Sequence, residues 1–488
     1  MKLTATLYST KRPKADLLVL PCFQGEKGPT AASSLDDLQD EVAALLKLGD
    51  FKAKEGETSL TYLSGTSEER LLLVGLGKKP DCEALRKGAA AALKVSMARS
   101  LSAINFLLPT FSHLDPKEVT RGVAEGLLLA NYLYDEWKSE KTLSPIKSAL
   151  LIGSEDLELL RETEGIVEGV NLARKLVNRN ADDVTPQTLG KVATQMAERF
   201  PSLKATVLNK EKLQEEKLNL LLAVGSGSAV DPALVILEYQ GAPESSDLTM
   251  VVGKGVTFDS GGLNLKPTHF IEDMRADMGG AATALGVIQA AAAIKLKANI
   301  VAIIPTTENA IDAKSYKPGD VYRSHAGVTV EITNTDAEGR LILADALSYG
   351  QKIFQPSRII DLATLTGAII IALGDLRAGL FSNHDQLAKL CIEAGEKTGE
   401  KVWRMPLDPD YKKLLKSEIA DIKNAGEKRM AGSVTAAIFL QEFIQENTPW
   451  IHLDIAGTAF LDKARDYHLS QATGSGVRLL IELIGCLR

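Results

Sequence analysis

Short runs of β-branched and leucine residues, apolar on successive positions, recur along the chain and alternate with longer helical patterns. A strand with one wet face alternates apolar and polar residues, and these runs do not. They suit strands covered on both faces, so the expected class is α/β with mixed, mainly parallel sheets. In the first third the strand candidates are residues 16–20, 70–74, 103–108 and 148–152, with helical patterns at 84–98 and 119–133. Further along they are 218–224, 233–239, 248–252, 299–304, 328–332, 358–362 and 450–454. Residues 281–296 are apolar nearly all round, which predicts a helix buried in the body. A long polar-to-amphipathic helix is expected over 154–179. A division near its start gives two domains, 1–160 and 161–488.

Length and composition narrow the function classes. A chain of 488 residues fits two to four domains at roughly 150 residues each. With 45% hydrophobic and 24% charged residues it is not a disordered or fibrous chain. The net charge of −7 disfavours general attraction to nucleic acid or an anionic membrane. The four cysteines are far apart and form no CxxC pair, so neither a disulfide framework nor a thiolate zinc site is expected. No apolar stretch follows Lys2 before Lys11, Arg12 and Lys14 interrupt, so a secretory signal is not expected. Thr283, Gln289 and Lys295 break the most apolar segment, which is too short to span a bilayer. These features point to a cytoplasmic protein with no membrane segment.

The usual catalytic motifs are missing. The six histidines show no HExxH or other paired spacing. There is no GxSxG, and Gly253-Lys254-Gly255 lacks the spacing of a phosphate loop. What remains is a set of carboxylates at strand ends, where ligands gather in open α/β sheets. The segment TMVVGKGVTFDSGGLNLKP carries Lys254, Asp259 and Lys266. MRADMGGAATALGV places Asp277 just before the buried helix. VTVEITNTDAEGRLILADAL carries Asp336, Glu338 and Arg340 between a strand and a helix.

Each residue also has a local explanation. Thr335-Asp336-Ala337-Glu338 matches a helix capping box. Asp277 suits a helix N-terminus, and Asp259 before Ser-Gly-Gly suits a turn. Lys254 and Arg340 could be solvated surface groups. The charges favour a joint role. Four carboxylates converging without compensation would repel strongly, and two divalent cations would balance them with hard oxygen ligands.

The run Asn334-Thr335-Asp336-Ala337-Glu338-Gly339-Arg340 resembles the signature of the leucyl (cytosol) aminopeptidases, the M17 metallopeptidases. The resemblance continues through GKGVTFDSGGLNLKP, MRADMGGAA, DLATLTGA and HLDIAGTA, and covers residues 165–488 well and the first third loosely. It implies a small N-terminal α/β domain followed by a larger C-terminal α/β catalytic domain. It also implies a homohexamer acting on peptides with a free N-terminus.

By the same resemblance, Lys254, Asp259, Asp277 and Glu338 bind one divalent metal ion, Mn²⁺ or Zn²⁺. Asp259, Asp336 and Glu338 bind the other, with the main-chain carbonyl of Asp336. Lys254 must then be a neutral amine. Lys266 stabilises the oxyanion, and Arg340 holds a bicarbonate that serves as general base. Met274, Thr364, Gly367 and Ala456 line the pocket for the first side chain. Ala459 departs from members that carry Met, which leaves a roomier wall. The implied activity is metal-dependent removal of N-terminal, leucine-like residues by two-metal-activated water.

Two other readings use the same residues. Another two-metal hydrolase, such as a phosphoesterase, would commonly add His or Asn ligands. A non-catalytic structural or DNA-binding hexamer would not need Lys266 and Arg340, and its DNA affinity would work against the net charge.

Overall fold

The strand candidates of the first third all form strands, in a computed structural model that describes residues 1–9, 12–33, 36–141, 143–426 and 430–487. Lys11, one of the charges interrupting the N-terminal stretch, lies outside the described residues. Two compact units are present: Met1–Val167 with Lys463–Ser470, and Glu168–Asp462 with Gln471–Arg488. The division falls inside the helix Leu157–Asn178. No helix of the described residues is long and apolar enough to cross a membrane.

The first unit is built on a mainly parallel sheet. Its order is Lys2–Thr6, Ser148–Ile152, Ala103–Leu107, Leu17–Gly25, Arg70–Gly75 and Thr58–Tyr62. Only the last of these, and a short Gly28–Ala31 strand on Leu17–Gly25, run antiparallel to their neighbours. The expected helices appear as Cys82–Met97 and Pro116–Ala130. Each starts on an aspartate cap, Asp81 and Asp115, and the second adds a proline in its first turn. The two helices approach closely at Gly126, where a Cβ would lie 2.3 Å from the Arg86 carbonyl.

The second unit carries a larger mixed sheet. Its order is Val402–Arg404, Ala378–Ser382, Trp450–Asp454, Arg358–Ala363, Leu248–Gly253, Asn299–Asn309, Ala233–Gln240 and Leu203–Leu208. The four central strands, from Trp450–Asp454 to Asn299–Asn309, are parallel. Their carboxyl ends therefore share one edge. Gly255–Asp259 adds a further parallel strand on the far half of Asn299–Asn309. The chain after Gly253 thus runs directly into a second strand, and Lys254 is the break between the two. The apolar helix is Gly279–Ala293, buried along nearly its whole length.

One strand expectation is overturned. Residues 218–224 form a helix, Asn219–Val224. An apolar run of that length has no periodicity to separate strand from helix. Its start is held from a distance: Asp345 Oδ2 accepts the Leu220 and Leu221 N–H groups at 2.8 and 3.1 Å. That carboxylate satisfies the orphan donors of the first turn.

The glycines of Met278-Gly279-Gly280 bring the buried helix onto the strand ends. A Cβ on Gly280 would lie 2.2 Å from the Leu362 carbonyl and 2.7 Å from the Lys254 nitrogen. Both are backbone atoms, so relief requires the helix to retreat. Gly280→Ala is expected to destabilise the protein by about 1–3 kcal/mol, the usual range for overpacking. Gly367→Ala, whose methyl meets nothing within 4 Å, is the control. Thermal unfolding of both variants in chelator checks the contrast.

Candidate metal centre

The break in the strand at Lys254 turns its side chain into the middle of the acidic set. Lys254 Nζ lies 2.8 Å from Asp277 Oδ1 and 2.9 Å from Glu338 Oε1, and donates to the Thr364 carbonyl at 2.9 Å. A Cβ on Gly339 would sit 2.5 Å from Lys254 Cε, so only glycine lets the helix Gly339–Phe354 start this close. Lys266 Nζ pairs with Asp259 Oδ2 at 2.8 Å and Asp336 Oδ1 at 2.6 Å. Asp259, Asp336 and Glu338 each bring one oxygen within 4.8 Å of the others. The structure therefore gathers Lys254, Asp259, Lys266, Asp277, Asp336 and Glu338 into one cluster. Arg340, two residues beyond Glu338, is buried and donates to the Asn424 carbonyl at 2.8 Å, while its Nε has no hydrogen-bond partner among the described residues.

Two ammonium groups face four carboxylates, which would leave two negative charges uncompensated if every acid were ionised. The titration of the acids reflects this. Burial, then repulsion from Glu338, pushes Asp259 up to about 6. Asp277 lies well above the carboxylate range, through burial that Lys254 only partly offsets. Burial and Glu338 also raise Asp336. Glu338 alone is lowered: burial opposes its charge, but Lys254 and Lys266 outweigh burial. Burial opposes the lysine charges too, yet the carboxylates win and both ammonium groups are held above their ordinary value. Burial draws Arg340 down to about 10, which leaves it cationic at neutral pH.

These residues fit a pair of divalent cations. Every acidic donor is a hard oxygen. Asp277 Oδ2 is buried without a hydrogen-bond partner among the described residues. Among the same residues, Glu338 Oε1 and Asp336 Oδ1 each have a single close cation, a lysine ammonium at 2.9 and 2.6 Å. Buried carboxylate oxygens left this way are costly unless a cation or donor meets them.

Thr335 does not cap the following helix. That helix begins at Gly339 with Glu338 in the cap position and no side-chain cap bond. The Thr335 hydroxyl instead donates to the Gly261 carbonyl at 2.7 Å and accepts the Asn264 N–H at 2.8 Å. It clips the loop bearing Asp336 to the loop bearing Lys266.

The residues expected around the first side chain fall into two groups, one tied to Asp277 and one to Asp454. Thr364 joins the cluster directly, its hydroxyl donating to Asp277 Oδ1 at 2.8 Å. Met274 connects through its carbonyl, which accepts the Asp277 N–H at 3.3 Å. Gly367 opens an exposed short helix, and Ala456 is half-buried. Asp454 draws these last two regions together, its Oδ1 accepting N–H groups of Leu365, Thr366 and Ala456 at 3.2, 3.4 and 3.3 Å. Reading the sequence by motif missed Asp454. It also missed Asn424, whose Nδ2 donates to the Asn334 carbonyl at 2.7 Å. Asp454 stands inside the quoted HLDIAGTA segment, the one signal that could have flagged it. A cleft of about 680 Å³ lies on the other side, lined by residues including Asn264, Lys266, Thr333, Asn334 and Asp336.

Residues 171–481 match the model described as the cytosol aminopeptidase family, catalytic domain. Residues 19–141 match its N-terminal domain. A probable cytosol aminopeptidase of Protochlamydia amoebophila (strain UWE25) is 48% identical over 492 residues, spanning 99% of this chain and 98% of the relative. One of Chlamydia felis (strain Fe/C-56) is 46% identical over 485 residues, 97% of each. Among solved structures, a tomato leucine aminopeptidase mutant superposes with a TM-score of 0.89 at 32% identity, covering 99% of this chain and 96% of that one. The bottromycin maturation enzyme BotP in complex with Mn gives 0.87 at 33% identity, covering 97% and 99%. With both family domains matched in order along the chain, this protein belongs to the cytosol aminopeptidase (M17) family of metal-dependent aminopeptidases.

Proposed function

We propose that the chain is a leucyl aminopeptidase that removes N-terminal, preferably apolar residues from peptides with the help of two divalent cations, Mn²⁺ or Zn²⁺. The observation that carries this reading is the buried cluster with its two unbalanced negative charges and the orphaned Asp277 oxygen. Lys254, Asp259, Asp277 and Glu338 would hold one cation. Asp259, Asp336 and Glu338 would hold the other, with the Asp336 carbonyl. Such a pair supplies the Lewis acidity that makes a water nucleophilic near neutral pH and polarises the scissile carbonyl.

The chain's own residues supply the rest. Lys254 serves as a ligand once its proton is lost. Lys266 remains an ammonium and directs a donor at the carbonyl oxygen as negative charge builds there. Arg340, cationic and buried beside Glu338, would hold a bicarbonate, which would supply the general base that the protein side chains lack. The substrate's free α-amine docks on the Lys254 and Asp277 side, which makes the enzyme an exopeptidase. Met274, Thr364, Gly367 and Ala456 receive the first side chain. The cleft beside Lys266 takes the rest of the peptide. As part of the same reading, the protein works as a cytoplasmic homohexamer.

Four outcomes test this reading. Stripping metal should abolish Leu-p-nitroanilide cleavage, and Mn²⁺ should restore it while raising the melting temperature. At a hundredfold excess over Kd, bound cation adds about 2.7 kcal/mol of stability per independent site. Activity that survives thorough chelation would overturn the reading. Lys266→Ala should lower kcat by about 10²–10³-fold, as for loss of one oxyanion donor. Arg340→Ala should lower kcat by about 10²–10⁴-fold and erase any stimulation by added bicarbonate. Finally, Ala459, buried beside Gly279, sets the room at the pocket wall, since a Cβ on Gly279 would stand 3.4 Å from its own. Ala459→Met should lower kcat/KM for Phe- and Trp-amides more than for Ala-amide, read from steady-state kinetics.

A further inference from the structure

The strand Asn299–Asn309 ends at a side chain that none of the roles above uses. Asn309 is fully buried. Its Nδ2 donates to Asp259 Oδ1 at 2.8 Å and to the Thr335 carbonyl at 3.0 Å. Its backbone carbonyl accepts from the Ser260 N–H at 3.0 Å and the Ser260 hydroxyl at 2.6 Å. One residue thus grips two of the three segments that deliver acidic groups to the cluster, those bearing Asp259 and Asp336.

The hydrogen bonds on Asp259 are divided between its oxygens. Oδ1 accepts the Gly261 N–H and the Asn309 amide, each at 2.8 Å. A carboxylate oxygen has two lone pairs in its plane, and two donors fill them. Oδ2 faces Lys266 at 2.8 Å. We propose that Asn309 is a positioning residue of the cation site: it occupies Oδ1 and so commits Asp259 to offer Oδ2 alone to the cations, while its second N–H fixes the Thr335 carbonyl and hence the segment that carries Asp336 and Glu338. The proposal rests on the two-cation reading above.

An amide suits this place better than other polar groups. Its nitrogen supplies two donors without charge. An ionised Asp would add another negative charge and could donate nothing. The amide's orientation follows from its surroundings, since reversing it would set its oxygen against the Asp259 carboxylate and the Thr335 carbonyl. Tyr316, also buried, separates the two tasks of Asn309. Its hydroxyl donates to the same Thr335 carbonyl at 2.6 Å but makes no bond to Asp259.

The test compares the full-length wild type with Asn309→Leu and Tyr316→Phe, all stripped of metal and titrated with Mn²⁺. Calorimetry gives affinity and stoichiometry, and electron paramagnetic resonance reads the exchange-coupled Mn pair. Asn309→Leu is expected to bind about 10–100-fold more weakly, the usual effect of losing a group that orients a ligand. The coupled signal should give way to that of isolated Mn²⁺. Tyr316→Phe, with the Asn309 bond to Asp259 intact, should stay within about threefold of wild type and keep the coupled signal. The melting temperature in chelator registers any general loss of structure separately from the increment that Mn²⁺ adds. A coupled pair of wild-type affinity in Asn309→Leu would overturn the proposal alone. Failure of the wild type to take up a pair would overturn the two-cation reading, and the proposal with it. Should Asn309→Leu not fold, a Mn²⁺-soaked crystal of the wild type decides. Anomalous peaks on Oδ2, with Asn309 still on Oδ1, support the proposal, and a peak on Oδ1 refutes it.

Discussion

Like charges brought together out of water must be compensated, and the catalytic unit is organised around that need. Four carboxylates meet at the carboxyl edge of a parallel sheet, where the chain breaks stride between paired strands. Two lysines cover half of the charge. Glycines replace side chains wherever backbone must come close enough to bring the acids within range, at Gly280 against the sheet and Gly339 against Lys254. The apolar helix Gly279–Ala293 seals the inner side and excludes water, which strengthens every electrostatic interaction in the cluster.

Those interactions also explain why the polar groups around the acids are neutral. Asn309, Thr335 and Thr364 give or accept hydrogen bonds without altering the charge. Each fixes an oxygen or a loop, so the acids are held in place before any cation arrives.

Much of this could be read from the sequence. Runs of consecutive β-branched residues gave away the doubly covered central strands, and NTDAEGR together with GKGVTFDSGG pointed to the charged cluster. Other features could not be read because their causes are distant in the chain. Residues 218–224 look like a strand until Asp345, more than a hundred positions later, is seen to hold the first turn of a helix. Thr335 has the local pattern of a cap, but its hydroxyl serves the loop at Gly261. Asn309 ends an ordinary strand, and only the pairing of Asp259 with Asn309 across neighbouring strands gives its amide a task. In each case a tertiary partner outbid a local preference.

The helix Gly339–Phe354 starts without any side chain on its free N–H groups. Glu338, placed where a cap would stand, spends its carboxylate on Lys254 instead. A missing cap typically weakens a helix start by about 1 kcal/mol. The first turn is held instead by its own backbone, with the Leu341 and Ile342 N–H groups donating to the Glu338 carbonyl at 3.0 and 3.2 Å, and by burial from Gly339 to Leu343, so the side chain that could have capped it is left to face the lysine.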